Sequence, residues 1–188
     1  DIGSYGINIF TTKQAMVGIM SSSRVWNNIP ITTVNVWVAL SWENLSLLAE
    51  PAIVNDPYGL DLLGTDYVRS SIGGRITNAF IRYKNELISL QLGRSPVWWG
   101  QSWNHSIIQT GSPPTYDHMD LRLNFGRFQL EILAGQLGSQ LLNGEQIKRN
   151  IAGHRFTWIS KDRKLLLGFG EHIIYTGQNR SIEWYYLN

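Results

Sequence analysis

The sequence predicts an all-β chain, an antiparallel meander of about 8–10 strands forming part of a transmembrane outer-membrane β-barrel. Three observations carry that expectation. Apolar and polar residues alternate with period two in one segment after another. Charged residues are only 16% of the 188, while aromatic residues reach 12%, with 8 Trp and 8 Tyr; an ordinary soluble domain is roughly a quarter charged. Mean hydropathy is still -0.14, because an apolar face is averaged against a wet one, as in transmembrane strands. A soluble β-sandwich is the competing architecture.

Residues 31–42 place Val34, Val36, Val38, Leu40 and Trp42 on one face, with Thr33, Asn35, Trp37, Ala39 and Ser41 on the other. The run is close to the roughly 9–11 residues that a tilted strand needs to cross a bilayer. Residues 44–54 follow as a hairpin partner across a turn at Glu43-Asn44. Residues 55–73 hold Asp56-Pro57, Gly59 and Gly64, and read as a long loop with a short helix near 58–63. Residues 75–84 alternate Thr77, Ala79, Ile81 and Tyr83 against Asn78, Phe80, Arg82 and Lys84; residues 86–92 pair with them across a tight turn at 84–86. Residues 93–116 form a second long loop. Residues 117–125 alternate Met119, Leu121, Leu123 and Phe125 against Asp120, Arg122 and Asn124, and Gly126-Arg127 turns the chain into 128–135.

Residues 136–149, rich in Gly and Gln, read as a third long loop. Residues 150–159 alternate His154, Phe156 and Trp158 against Arg155 and Thr157, and 160–164 is a short polar turn. Residues 164–175 and 181–187 complete the strands. If Leu165, Leu167 and Phe169 face lipid, strict alternation sends Glu171 there too; either Glu171 lies above the membrane or, as favoured here, a bulge at Gly168 or Gly170 flips the register. Short turns thus alternate with long loops, the asymmetry of outer-membrane barrels. Arg82, Arg122, Arg155, Glu131 and Glu183 fall on polar faces mid-strand, awkward in a sandwich core and natural in a wet lumen. Trp42, Tyr83, Trp158, Tyr175 and Tyr186 near strand ends fit an interfacial girdle.

The totals exclude several classes. A net charge of +2, with no basic cluster larger than Lys161, Arg163 and Lys164, argues against nucleic acid as a partner. With 0 Cys there are no disulfides, thiol nucleophiles or thiolate metal sites. No run of about 18 apolar residues encodes a transmembrane helix. The start at Asp1, without Met, basic region or apolar leader, reads as a mature or internal fragment, here one barrel domain over 1–188.

The densest chemistry lies in residues 94–105, where Trp98, Trp99 and Trp103 sit among Arg94, Gln101, Asn104 and His105. Indole faces stack on pyranose C–H faces, while Arg, Asn, Gln and His serve hydroxyls and a uronate. Arg94 suits a carboxylate through its bidentate fork. The alternative is that the tryptophans only plug the lumen. In either case the segment is expected to fold inward or across the mouth on the long-loop side, near Arg155 and Glu171, because three exposed indoles would form a large apolar patch. His154, Arg155 and Glu171 are expected to form a lumen ion-pair cluster, more a structural network than a ligand site. His105, His118, His154 and His172 lack metal-ligand spacing. No nucleophile or phosphate-loop motif appears, and sequence alone cannot pair any two of Asp117, Asp120, Glu131, Glu171 and Glu183 as glycosidase carboxylates.

The run Gly93-Arg94 … Trp98-Trp99-Gly100-Gln101-Ser102-Trp103-Asn104-His105-Ser106-Ile107-Ile108 resembles the Wzi-type capsule assembly proteins of Gram-negative outer membranes. Their motif has an Arg, then Trp-Gly-Pro-Gly, a small-residue pair, an aliphatic run and Asn-Ala-x-Pro. Here Gln101 replaces the Pro, Trp103 falls near the second Gly, and Gly111-Ser112-Pro113-Pro114 stands at the Pro-containing end. Ile151-Ala152-Gly153-His154-Arg155-Phe156 is similar to the family's Ala-Gly/Ala-His-Arg-Leu. Leu167-Gly168-Phe169-Gly170-Glu171-His172-Ile173-Ile174-Tyr175 is similar to its Leu-Gly-Phe/Leu-x-Glu-x-Val-Ile-Tyr. Glu183-Trp184-Tyr185-Tyr186-Leu187-Asn188 is similar to its closing Glu-Leu-Ala-Tyr-Leu-Asn. The four motifs occur in family order over 93–188, while 1–92 match only as generic strands.

The resemblance implies a large barrel, about half of it present here, in the outer membrane of a Gram-negative bacterium. It implies a role in capsular or surface polysaccharide assembly, with the glycan, the lipid bilayer and the polysaccharide export machinery as partners. It implies no catalysis, and the sequence calls for neither a cofactor nor a metal. The expected ligand-binding or lumen-plug set is Arg94, Trp98, Trp99, Gln101, Trp103, Asn104, His105, Arg155 and Glu171. The competing functions are a passive porin-like barrel and a glycan-processing outer-membrane enzyme.

Overall fold

Period-two alternation leaves each strand with one face to hide, and neighbouring strands in a meander share that face. The structure, a computed structural model, describes residues 13–55, 67–99, 109–110, 115–178, 180–183 and 186. Of these, 79% are strand and 1% helix. The strands are β1 (Gln14–Trp26), β2 (Ile29–Trp42), β3 (Leu45–Asn55), β4 (Tyr67–Arg69), β5 (Ile72–Lys84), β6 (Ile88–Ser95), β7 (Trp98–Trp99), β8 (Gln109–Thr110), β9 (Tyr116–Phe125), β10 (Phe128–Leu142), β11 (Glu145–Ile159) and β12 (Leu166–Gly177). One open antiparallel sheet runs β1-β2-β3-β5-β6-β9-β10-β11-β12, with β4 added beside β5, while β7 and β8 pair separately. The chain is an all-β antiparallel meander, as the alternation predicts. The helix expected near 58–63 lies outside the described residues.

Local chemistry sets the turns. Asn27 and Asn28 both take positive φ, as do Ser70 and Ser71, so these two-residue links match the right-handed twist of the strands. The Asn85 side chain accepts from the Leu87 and Ile88 amides at 2.9 and 2.7 Å, closing the β5–β6 hairpin. At 160–164, the Ser160 hydroxyl and then the Lys164 amide hold the Asp162 carboxyl below the usual carboxylate range. Pro51 falls at a register shift between β3 and β5, where its missing N–H is tolerated.

Three expectations change here. Residues 136–149 are not a long loop: β10 and β11 run on to Leu142 and from Glu145, joined by Asn143 and Gly144 at φ 53° and 82°. Asn-Gly is a strong hairpin signal, and it outweighs the Gly/Gln composition around it. Second, β12 has no bulge, because the β11–β12 register is unbroken from Lys148↔Gly177 to Ile159↔Leu166. Third, 181–183 are not strand. The segment folds back over the end of β12, where Arg180 pairs with Glu183 at 2.8 Å and the Tyr186 ring packs on Tyr175, centroids 4.5 Å apart. Glu183 is therefore not a mid-strand lumen charge, and Tyr175 is buried instead of lying in a girdle.

The sheet has two unlike faces. One carries Val17, Ile19, Val38, Leu40, Phe156 and Phe169, exposed to as much as 73%. The other buries Glu50, Gln91, Asp120 and Glu131, each under 9% exposed. The apolar stripe also crosses the strands obliquely. Val38 sits mid-stripe on β2, yet its row runs through Ala49, Ala79, Arg94, Asp117, Gln136 and Asn150 to Tyr175. On β9 to β12 the stripe has moved toward the other strand ends, through Phe125, Phe128, Trp158 and Leu167. The strands are thus tilted relative to the apolar band.

Candidate functional site

The polar face is built from alternate positions of β3, β5, β6, β9, β10 and β11. Strand partners fix who meets whom. Glu131 faces Arg122 on one side and Arg155 on the other, and Asp120 faces Gln91. Arg122 Nη2 bridges Asp120 at 2.8 Å and Glu131 at 2.9 Å, and Arg155 stands 3.8 Å from the second Glu131 oxygen. Gln91 donates to Ser95 Oγ at 2.6 Å and to His118 Nε2 at 3.1 Å. His118 Nδ1 lies 2.9 Å from the Tyr116 carbonyl. That carbonyl can only accept, so the proton sits on Nδ1 and Nε2 is the acceptor for Gln91. Glu50 accepts from Asn35 at 3.2 Å and from Asn78 at 2.6 Å.

Over this face returns the start of the tryptophan segment. Val97 and Trp99 pack with Tyr116, Leu133 and Ile151, and Trp99 is 0% exposed. Its indole interacts with the Glu131 carboxylate. Glycines open the space for it: a Cβ on Gly153 would stand 2.6 Å from the Glu171 carbonyl and 3.0 Å from the Trp99 ring. One on Gly135 would stand 2.8 Å from the Tyr116 ring. Gly153→Val is therefore expected to displace Trp99 and lower stability by about 1–3 kcal/mol, as overpacking does. Tryptophan fluorescence and a denaturant midpoint check it; an unchanged emission maximum and midpoint would show that the ring does not rest on this glycine.

The expected site residues separate. Gln101, Trp103, Asn104 and His105 lie outside the described residues. Trp99 goes inward and is buried among side chains. Trp98 stays half-exposed on β7. Arg155 is in the inner network. Arg94 lies in the row of Ala79 and Asp117 and grips Asp117 with both arms of its fork at 2.9 Å each, so this carboxylate already occupies the fork. Glu171 is a correction. With the β12 register unbroken it lies opposite His154 on the apolar face, at 3.5 Å, with its side chain 70% exposed. The expected cluster of His154, Arg155 and Glu171 is thus split between the two faces, because adjacent strand residues point oppositely.

On sequence alone, Arg82, Arg122 and Glu131 fall on a polar face without being assigned to the site, only Arg155 of that group is assigned to it, and Gln91, Ser95 and Glu50 are passed over. Extending the alternation of 117–125 by one step puts His118 beside Asp120 and Arg122, so that signal was available. Among the described residues no group of three or more His, Asp or Glu is placed to hold a metal ion. Chemically, the face is an ion-pair lattice with Asp120 and Glu131 sharing one guanidinium, a surface that recognises polar and charged groups. Compared with protein-family models, with curated proteins and with solved structures, the chain matches none.

Proposed function

We propose that this chain is part of an outer-membrane β-barrel of a Gram-negative bacterium that binds surface polysaccharide during capsule assembly. The inverted polarity of the sheet carries the reading. Soluble proteins bury apolar side chains and expose charges; here the large apolar residues point out and the charges in, the arrangement of a barrel with lipid outside and water inside. The oblique apolar band supports it, since barrel strands tilt by about 35–45° to the axis. At one end of the stripe Lys13 Nζ lies 4.7 Å from the Trp42 ring centroid, an amphipathic pair suited to a membrane boundary. The glycan part of the reading rests on the Wzi-type motifs and on Trp98, the half-exposed indole next to Trp99 in β7. Trp99, packed down over the polar face, speaks against an open porin. No catalytic role is assigned.

The glycan test uses Trp98, because removing Trp99 would also disturb the core. Trp98→Ala is expected to leave insertion intact and to lower the surface polysaccharide retained by cells several-fold. Wild-type retention at normal outer-membrane levels would refute polysaccharide binding at this segment, and channel conductance in planar bilayers would then favour the porin. The membrane reading has its own test. His154 and Glu171 form an ionisable pair on the face assigned to lipid, where a charge costs up to about 2–4 kcal/mol near the midplane. Replacing both by Leu is expected to stabilise the barrel in liposomes by about 1–2 kcal/mol. A loss of stability in the urea titration would mean that protein, not lipid, covers this face.

A further inference from the structure

Around Asp120 and Glu131 the polar face carries more guanidinium than carboxylate; the third buried carboxylate, Glu50, is held by Asn35 and Asn78. Around Asp120 and Glu131 stand Arg122, Arg155 and Arg82, three cations to two anions. The deficit falls on Arg82. Its Nε donates to Gln91 Oε1 at 2.9 Å, its Nη2 donates to the same oxygen, and its guanidinium carbon lies 4.8 Å from the Phe80 ring centroid. Among the described residues no carboxylate pairs with it. Arg122 stands close by: Arg82 faces Gln91 on β6, Gln91 faces Asp120 on β9, and Asp120 holds Arg122 at 2.8 Å.

Two features make this a prepared position. Gln91 cannot turn away, because its amide nitrogen is committed to Ser95 and His118; its oxygen therefore fixes the Arg82 plane. An arginine fork has five N–H donors, and Gln91 uses only the Nε–H and one on Nη2, so the remaining edge is unspent. Two guanidiniums close together in a partly desolvated interior are unfavourable until an anion joins them. Oxyanions match the planar fork and accept two parallel hydrogen bonds.

We propose that Arg82, with Arg122 beside it, binds an oxyanion on the inner face of the barrel, carried by an acidic sugar residue of a polysaccharide or supplied as a free inorganic anion. The site deepens the polysaccharide reading by giving the ligand a negative charge, and it depends on that reading only for the source of the oxyanion.

The test uses the protein in detergent micelles, titrated calorimetrically with sodium sulfate, with trigalacturonate and with neutral maltotriose, at ionic strength matched with sodium chloride. Wild type is expected to bind sulfate and trigalacturonate. Arg82→Gln should weaken both by about tenfold or more, the loss typical of a charged hydrogen bond, while its response to maltotriose stays at the wild-type level. Arg24→Gln, on the exposed part of β1, should change nothing. If Arg82→Gln does not fold, Arg82→Lys keeps the charge without the fork and should bind both anions more weakly at unchanged stability. Failure of wild type to bind either anion, or equal binding by wild type and the Arg82 variants, overturns the site. Sulfate binding that depends on Arg82, without trigalacturonate binding, keeps the oxyanion site and removes the polysaccharide reading. Trigalacturonate and maltotriose bound equally by wild type and Arg82→Gln would do the reverse.

Discussion

Glu131→Ala is expected to destabilise the fold by about 3–5 kcal/mol, the loss typical of removing one member of a buried ion-pair group. Glu131 is 2% exposed and is shared by Arg122, Arg155 and the Trp99 indole. Removing it leaves Arg155 without its carboxylate and Arg122 with Asp120 alone, so the cost is the desolvation of stranded cations more than the lost attraction. Adding Arg155→Ala to the variant should recover part of the loss, since the cation left without a carboxylate goes with it. Urea unfolding in micelles measures both. A loss under about 1 kcal/mol for Glu131→Ala would mean that water already serves these guanidiniums.

Trp99→Ala should cost a similar amount, about 3–5 kcal/mol, as for a large aromatic removed from a packed core. The ring is fully buried, packed with Val97, Tyr116, Leu133 and Ile151, and seated over Gly153. Trp99→Phe should cost less, because most of the ring volume stays. The loss is expected to be uneven: proteolysis at residues 96–99 should rise more than at β10 or β11, whose pairing does not depend on the indole. Equal protection of the 96–99 segment in wild type and Trp99→Ala would show that the tryptophan does not anchor it.

Much of the architecture was legible because strand alternation is local. Val34 to Trp42 show their outward face without reference to any other strand, and the same holds for Met119 to Phe125. The misreadings arose where a local signal competed with composition or depended on distant pairing. Asn143-Gly144 was hidden among Gly, Ser and Gln, and a hairpin became a loop. Glu171 was moved inward by a supposed bulge, because a carboxylate in an apolar row is costly; the ladder from Lys148↔Gly177 onward leaves it outward, opposite His154. Residues 181–187 alternate well enough for a strand, but Arg180, Tyr175 and Glu183 tie 180–183 to the end of β12.

By itself, the sequence determined the all-β class, most strand positions, the tight turns at 43–44 and 126–127, the β5–β6 turn to within one residue, and the sorting of apolar from polar faces. Each follows from neighbours within a few residues, through the pleat and through positive-φ turn chemistry. Only the tertiary structure decided which charges meet. Arg94 is taken by Asp117, Arg122 joins Asp120 to Glu131, Arg82 meets the Gln91 amide, and the Trp99 ring fills the space over Gly153. Those pairings depend on register between strands far apart in the chain. A one-residue slip reverses every side chain of a strand, and no local pattern records which register wins.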